Sequence, residues 1–323
     1  MSKKPKVSVL VLNWNGKRFI DQFMKSYLQQ DYPKDALELL FIDNNSSDDS
    51  LAYTEREYAN KYPNIKLVKN DKNYGYAGGN NRGVHQATGQ FILVVNNDLE
   101  MHKSMITEMV STAIENDAAA INPKILFKNN PGYINNAGSR LDINSAWPIY
   151  EIGANEKDDG KYDKVCEISA ICGASVLFTR EFLSTVGMFD ARFFMYFEDG
   201  DLSWRGQKKG FSFYYAPQAI AYHEHTGSSK EGSPLFNHFV GRNRILILTK
   251  NGKFIPWAKA WKHTLADHLL LRIKNIYLSL GAHYGKKQAL KEFLLSQKMI
   301  WAAVCLTPYA LAKRCGILKE EKL

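Results

Sequence analysis

Four stretches carry the side chains able to do chemistry. In "VVNNDLEM" (94–101) an apolar run, Phe91 to Val95, stops at Asn96-Asn97-Asp98. A carboxylate beside amides at a strand end suits Mg²⁺ or Mn²⁺, which take oxygen ligands and borrow more from a diphosphate. "FDARFFMYFEDGDLSWR" (189–205) crowds Glu198, Asp199 and Asp201 after an aromatic run. Like charges beside apolar walls raise a carboxyl pKa, which suits a general base. The same residues would serve the first turn of a helix, and both roles are compatible. In "LELLFIDNNSSDDS" (37–50), Asp43 either accepts from the N3–H of a uracil or thymine ring, or makes an Asx-turn or helix cap with Ser46, Ser47 and Asp48. In "AYHEHTGSS" (221–229), His223 and His225 alternate and would share one face of a strand. Either one completes a metal shell with Asp98, or both are incidental surface histidines.

The elements that must position these groups read as a doubly wound, mostly parallel sheet. Strand and helix patterns alternate over the first 130 residues: "KVSVLVLNW", a helix at 17–30, "LELLFID", a helix at 50–62, "NIKLVKN", a helix opened by "AGGNNRGVHQAT", then "QFILVVNND". Continuous apolar runs fit strands covered on both faces. Ligands of such sheets bind beyond the carboxyl ends of the strands. Three strands end there in polar residues: Asn13 and Asn15, then Asp43-Asn44-Asn45, then Asn96-Asn97-Asp98. Turns also favour Asn and Asp, but that accounts less well for three strands of one sheet. "NYGYAGGNNRG" (73–83) gathers four glycines before a helix, where a backbone can approach phosphate. It lacks the G-K-[ST] of a P-loop. Residues 131–165 lose periodicity, and "GANEKDDGKYDK" reads as a mobile surface loop. "CEISAICGASVLFTREFLSTVGMFD" restores a strand and a short helix.

Residues 241–323 hold 16 Lys and Arg against 4 Asp and Glu, whereas the preceding residues hold 26 against 29. The basic part therefore faces an anionic partner. Trp257, Trp261, Leu265, Leu269, Ile273, Ile276 and Leu280 recur at helical spacing, ringed by Lys259, Lys262, Arg272 and Lys274. This stripe either lies on an anionic membrane surface or packs on the rest of the chain or a second copy of it. Nothing in the motifs supports nucleic-acid binding. Cys166, Cys172, Cys305 and Cys315 have no CxxC spacing and read as reduced thiols of a cytoplasmic protein. The run Val7–Leu12 is too short for a signal peptide, and no stretch has the apolar length of a membrane span.

Taken in order, "VSVLVLNWNG", "FIDNNSSDDS", "NYGYAGGNNRG", "VVNNDLEM", "INNAGSRLD", "CGASVLFTREFLSTVGMFDARFFMYFEDGDLSWRGQKKG" and "YYAPQAIAYHEHTGSS" resemble glycosyltransferase family 2, and most nearly its bacterial rhamnosyltransferase-like branch. The resemblance spans about residues 6–229. It implies a GT-A fold over 1–234, followed by a mainly helical extension over 235–323. It implies an inverting, metal-dependent transferase that moves sugar from a dTDP- or UDP-linked donor to a hydroxyl of a glycan or lipid-linked glycan, in cell-surface polysaccharide synthesis. Asp199, with Glu198 beside it, then matches the catalytic base. Asp98 matches the last residue of the DxD motif, with Asn96 replacing its first Asp, and His223 matches a metal- or diphosphate-contacting histidine. Asn13, Asn15, Asp43, Asn45, Gly78, Gly79, Asn80 and Asn97 fall at donor-contacting positions. The implied cofactor is Mg²⁺ or Mn²⁺, and the implied location is the cytoplasm or the inner face of the membrane. Two other classes remain. A sugar-phosphate nucleotidyltransferase would carry a Gly-, Arg- and Lys-rich loop after its first strand, which "NWNGKRF" matches poorly. A non-catalytic sugar-nucleotide or glycan-binding module would have no need of Asp98 and Asp199.

Overall fold

The computed structural model describes residues 4–224, 233–279 and 286–323. Its strands are β1 Val7–Asn13, β2 Leu37–Asp43, β3 Ile65–Lys69, β4 Phe91–Asn96, β5 Leu99–Met101, β6 Ala120–Phe127, β7 Asn130–Asn136, β8 Ser139–Leu141, β9 Ile149–Glu151, β10 Cys166–Ile168, β11 Ser175–Thr179 and β12 Phe213–His223. Its helices are α1 Lys17–Leu28, α2 Ser50–Thr54, α3 Gly75–Val84, α4 Met105–Glu115, α5 Arg180–Val186, α6 Glu198–Lys208, α7 Pro234–Asn251, α8 Phe254–Ser279 and α9 Lys286–Arg314.

The main sheet runs β3-β2-β1-β4-β11-β6-β12-β10, with β5 paired to β12 and β7 to β6. The strands β1, β2, β3 and β4 are mutually parallel, and β6 is parallel to β12. Only β11 interrupts them, antiparallel to both β4 and β6, so β6 and β12 also run with β4. The carboxyl ends of β1, β2, β4, β6 and β12 therefore share one edge. These are the ends that carry Asn13, Asp43, Asn96, Phe127 and His223. Because β11 runs backwards, its first residue, Ser175, pairs with Val95 at that same edge.

Apolar residues on both faces of β1 and β4 bury the sheet between two cores. On one side α1 presents Phe19, Ile20, Phe23, Met24 and Tyr27, which follow the helical repeat and are all buried. On the other, α3 lies so close that a Cβ on Gly79 would meet Leu12 at 2.6 Å, and one on Gly83 would meet Ile42 at 2.3 Å.

Several local readings change. The helix expected at 50–62 is α2 followed by a π-helical turn, Glu55–Ala59. Residues 131–165, where periodicity is lost, include three strands, and "GANEKDDGKYDK" (153–164) is a loop, though not a loose one. The strands are β7, β8 and β9, and the 153–164 segment is pinned where the buried Lys124 ammonium binds Asp158 at 2.8 Å and Asp163 at 2.5 Å. The chain divides into two compact units: 1–141, 149–228 and 320–323 in one, and 142–148 with 229–319 in the other. In the second, α7 packs on α8 and α9. Of the basic stripe, Trp257 and Trp261 are half-buried and Leu265 is exposed, while Leu280 lies outside the described residues. Among the described residues no helix is long and apolar enough to cross a membrane, and all four cysteines are free thiols.

Candidate active site

Asp98 stands just past β4, and its side chain is buried. Its backbone carbonyl accepts the Glu224 N–H at 3.0 Å, drawing the end of β12 to it. That brings His223 Nε2 to 3.3 Å from Asp98 Oδ1. The approach lacks hydrogen-bond geometry, so Oδ1 is buried without a hydrogen-bond donor. The other imidazole nitrogen, Nδ1, lies 2.8 Å from Asn135 Oδ1. With Nδ1–H donated to that amide oxygen, Nε2 presents a lone pair toward a carboxylate oxygen. A divalent cation between the two would relieve this approach, and an imidazole oriented from behind by an amide is the usual support of a metal ligand. Metal–ligand bonds of about 2.1 Å place adjacent octahedral ligands roughly 3 Å apart, close to the spacing found. Among the described residues no third His, Cys, Asp or Glu joins these two, so further ligands would have to come from a bound diphosphate or water. His225 lies outside the described residues.

Asp199 reaches the same edge from α6. Asn96 N–H donates to Ala174 O at 2.9 Å, and the adjacent Gly173 N–H donates to Asp199 Oδ2 at 2.9 Å. The Gly200 N–H donates to Oδ1 at 2.7 Å. Ser203 fixes the first turn of α6, donating to Asp199 O at 2.7 Å while accepting from Ile171 N–H at 3.0 Å. The approach to α6 is strained: Phe194, Tyr196 and Phe197 all have φ between 66° and 69°, in the left-handed region that bulky residues avoid. Gly75 locks this loop, because a Cβ there would stand 2.4 Å from Phe194 O. Burial raises the Asp199 pKa, opposed by the Gly173 and Gly200 N–H groups. Glu198 is pushed well above the ordinary carboxylate range by burial first and by the Asp199 charge second, and its Oε2 has no hydrogen-bond partner. Asp201 separates from this pair. It binds Arg205 Nε at 2.8 Å, and Arg205 also donates to Val186 O and Met188 O, a structural clamp.

Glu198 yields a first prediction. Its pKa is higher folded than unfolded, so the stability tied to its proton is full below the unfolded carboxyl value and is lost as pH rises through the folded one. Glu198→Gln cannot ionise. It should match the parent's melting temperature near pH 4 and exceed it at pH 8 by roughly 2–4 °C, about 1 kcal/mol. A scanning-fluorimetry series that shows no widening gap refutes the assignment.

The remaining candidates divide by what their polar atoms already do. Asp43 Oδ2 accepts from Ser46 N–H at 3.1 Å, making the Asx-turn, while Oδ1 is buried and without a partner. The two readings of Asp43 thus describe different oxygens of one carboxylate. Asn13 is a bracket: Nδ2 donates to Ser50 Oγ at 2.8 Å, and Oδ1 accepts from Asn97 Nδ2 at 2.9 Å. Asn15, at φ 50°, accepts Ser47 N–H at 2.7 Å and so holds the 46–48 turn. Asn45 is exposed at φ 62°. Gly78, Gly79 and Asn80 do not form a loop; they are buried inside α3, where the glycines permit close packing and Asn80 Nδ2 donates to Tyr76 O at 3.0 Å. Three residues at the site had no assigned role. Asn135 sits in the quoted "INNAGSRLD". Asn44 ties Asn70, Asn73, Tyr74 and Gly75 together through both ends of its amide. Tyr76 donates to Gly173 O beside Asp199.

The model of the family "Glycosyl transferase family 2" matches residues 8–187. A glycosyltransferase, AglE, of Haloferax volcanii is 28% identical over 111 residues, 34% of this chain and 36% of its own length. An N-acetylglucosaminyl-diphospho-decaprenol L-rhamnosyltransferase of Mycobacterium tuberculosis is 24% identical over 257 residues, 73% of this chain and 82% of that protein. The match therefore spans about a third of AglE but most of the mycobacterial protein. Among solved structures, a mannosyltransferase of Pyrobaculum calidifontis, in complex with GDP-Man and Mn²⁺, aligns over 95% of this chain and 88% of its own, with TM-score 0.57 and 18% identity. GalNAc-T7 with UDP, GalNAc and Mn²⁺ aligns over 77% of this chain and 48% of its own, with TM-score 0.62 and 16% identity. Both likenesses are of fold, and the shared fold is GT-A.

Proposed function

We propose, for a chain that belongs to glycosyl transferase family 2, that it is an inverting glycosyltransferase moving sugar from a nucleoside-diphosphate donor to a hydroxyl of a glycan or lipid-linked glycan. One observation carries the reading: a cation-ready pair, Asp98 and His223, and a raised-pKa carboxylate, Asp199, share the carboxyl edge of one sheet. Asp43 Oδ1 is the free acceptor for the N–H of the nucleotide base. Asp98 and His223 would hold a divalent cation, which when bound supplies Lewis-acid stabilisation to the leaving diphosphate. Asp199 takes the proton of the acceptor hydroxyl as its oxygen attacks the anomeric carbon. Departure of the diphosphate from the opposite face inverts that centre. Glu198, held neutral beside it, leaves Asp199 as the single anion of the pair.

The relatives' names cover rhamnosyl, mannosyl and N-acetylgalactosaminyl transfer or binding, so a UDP-, dTDP- and GDP-sugar panel is the test. Thermal stabilisation by a donor with Mn²⁺, followed by acceptor-dependent release of nucleoside diphosphate, is expected. Pyrophosphate release would mark a nucleotidyltransferase, and no turnover of any donor would mark a binding module.

The helical unit suggests where the acceptor is met. Phe254, Ile255, Leu270 and Trp301 are each more than 60% exposed on basic helices. We infer that this unit lies on the anionic inner face of a membrane, with a role in cell-surface polysaccharide synthesis. The full chain should float with vesicles containing anionic lipid at low salt and not with neutral ones. Sedimentation without either vesicle would direct these helices to a second copy of the chain instead.

A further inference from the structure

Past His223 the catalytic edge continues into a recess of about 430 Å³ lined by Phe127, Asn129, Asn130, Tyr133 and Asn155. Phe127 pairs with His223 across β6 and β12, and the Lys128 N–H donates to His223 O at 2.9 Å. We propose that this recess is a subsite for an uncharged sugar ring of the acceptor; the assignment rests on the transferase reading above. The chemistry of the lining selects the ligand. None of the five side chains is charged, so nothing in it answers a diphosphate or an anionic headgroup. The neighbouring Lys128 ammonium faces Glu100 at 3.6 Å and Glu224 at 3.8 Å. Three carboxamides each offer a donor and an acceptor, which match ring hydroxyls that are both. Tyr133, 41% exposed, offers a flat apolar face whose negative quadrupole attracts the weakly positive C–H face of a pyranose.

The frame is set before binding. Tyr133 bridges Lys157, Ile134 N–H donates to Glu156 O at 2.8 Å, and Asn155 N–H donates to Ile134 O at 2.9 Å. Asn155 is held at φ 64°. A fixed wall lowers the ordering cost of a weak saccharide contact.

Saturation-transfer NMR on the full chain without donor, using the methyl glycosides of glucose, galactose, mannose, rhamnose and N-acetylglucosamine, tests this. At least one glycoside should bind. Tyr133→Ala, with an unchanged melting temperature, should weaken it about tenfold. Tyr133→Phe should retain it. Absence of any bound glycoside, or binding indifferent to Tyr133→Ala, overturns the assignment. Stabilisation of the same samples by UDP, dTDP or GDP with Mn²⁺ reports separately on the transferase reading, so the two can fail independently.

Discussion

Asp199→Asn should fold as the parent does and transfer sugar at least about 100-fold more slowly. The substitution keeps the volume and one carbonyl oxygen, and Asp199 is held chiefly by backbone donors, Gly173 N–H and Gly200 N–H. One of those donors would face an amide NH₂ instead of an oxygen, a cost of about 1 kcal/mol. What disappears is the ability to take a proton from the attacking hydroxyl. Nucleotide affinity in the presence of Mn²⁺ should be unchanged, because no contact to Asp98, His223 or Asp43 is altered. The pH profile gives a second readout. Burial raises the Asp199 pKa, so the acid limb of kcat/KM in the parent should fall above the ordinary aspartate range, with activity rising as pH climbs through it. In Asp199→Asn that limb should vanish from the residual rate. Near-normal transfer by the variant would remove Asp199 from the role, and a normal rate in Glu198→Gln beside a slow Asp199→Asn would assign the base to one carboxylate of the two.

The carboxylates were legible in the sequence because each interrupts a run whose pattern is otherwise apolar. Asp43 and Asp98 end buried strands, and Asp199 follows an aromatic stretch that no surface loop requires. The amides were legible only as a group. Asn13 binds Asn97 across 84 residues and His223 meets Asn135 across 88, pairings set by strand order rather than by neighbours in the chain. The resemblance put Asn13 and Asn15 at donor-contacting positions, and in the structure their polar atoms also hold Ser47, Ser50 and Asn97. The helix opened by "AGGNNRGVHQAT" is α3, and its glycines have a packing reason: the close approach to Leu12 and Ile42 leaves no room for a side chain at Gly79 and Gly83, which outweighs their low helix propensity. Strands β7 and β8 left no trace because "NNPGYINNAGSRLD" has no alternation and a single β-branched residue, Ile134, and β7 is held by its pairing with β6. Nor could any local signal show that residues 320–323 return to the first unit, where Glu321 accepts Met188 N–H at 2.8 Å and stands 3.0 Å from His85 Nε2.

Asp98→Asn should abolish the Mn²⁺-dependent stabilisation given by nucleoside diphosphates and lower transfer by about 10³-fold. The expected effect is large because among the described residues the protein offers one carboxylate here, where a DxD motif would offer two. Asn96 leaves the cation no second anionic oxygen from this turn, and neutralising Asp98 leaves only His223 and the ligand's own phosphates. Folding should survive, and the reason is specific to the site. In the parent, Oδ1 is buried without a hydrogen-bond donor and faces the Nε2 of His223. An amide can turn its Nδ2–H toward that lone pair, so the metal-free variant should melt at or above the metal-free parent. The two shifts have opposite signs: stability without ligand is kept or gained, while the gain of about 2.7 kcal/mol expected from nucleotide and Mn²⁺ at a hundredfold excess over Kd is lost. General damage to the fold would lower both melting temperatures together. His223→Ala should give a smaller loss of metal-dependent binding, because a water molecule can replace one neutral ligand more easily than a carboxylate. If Asp98→Asn still responds to Mn²⁺ and nucleotide as the parent does, the oxygen at residue 98 is not a metal ligand and the cation must be held elsewhere along the sheet edge.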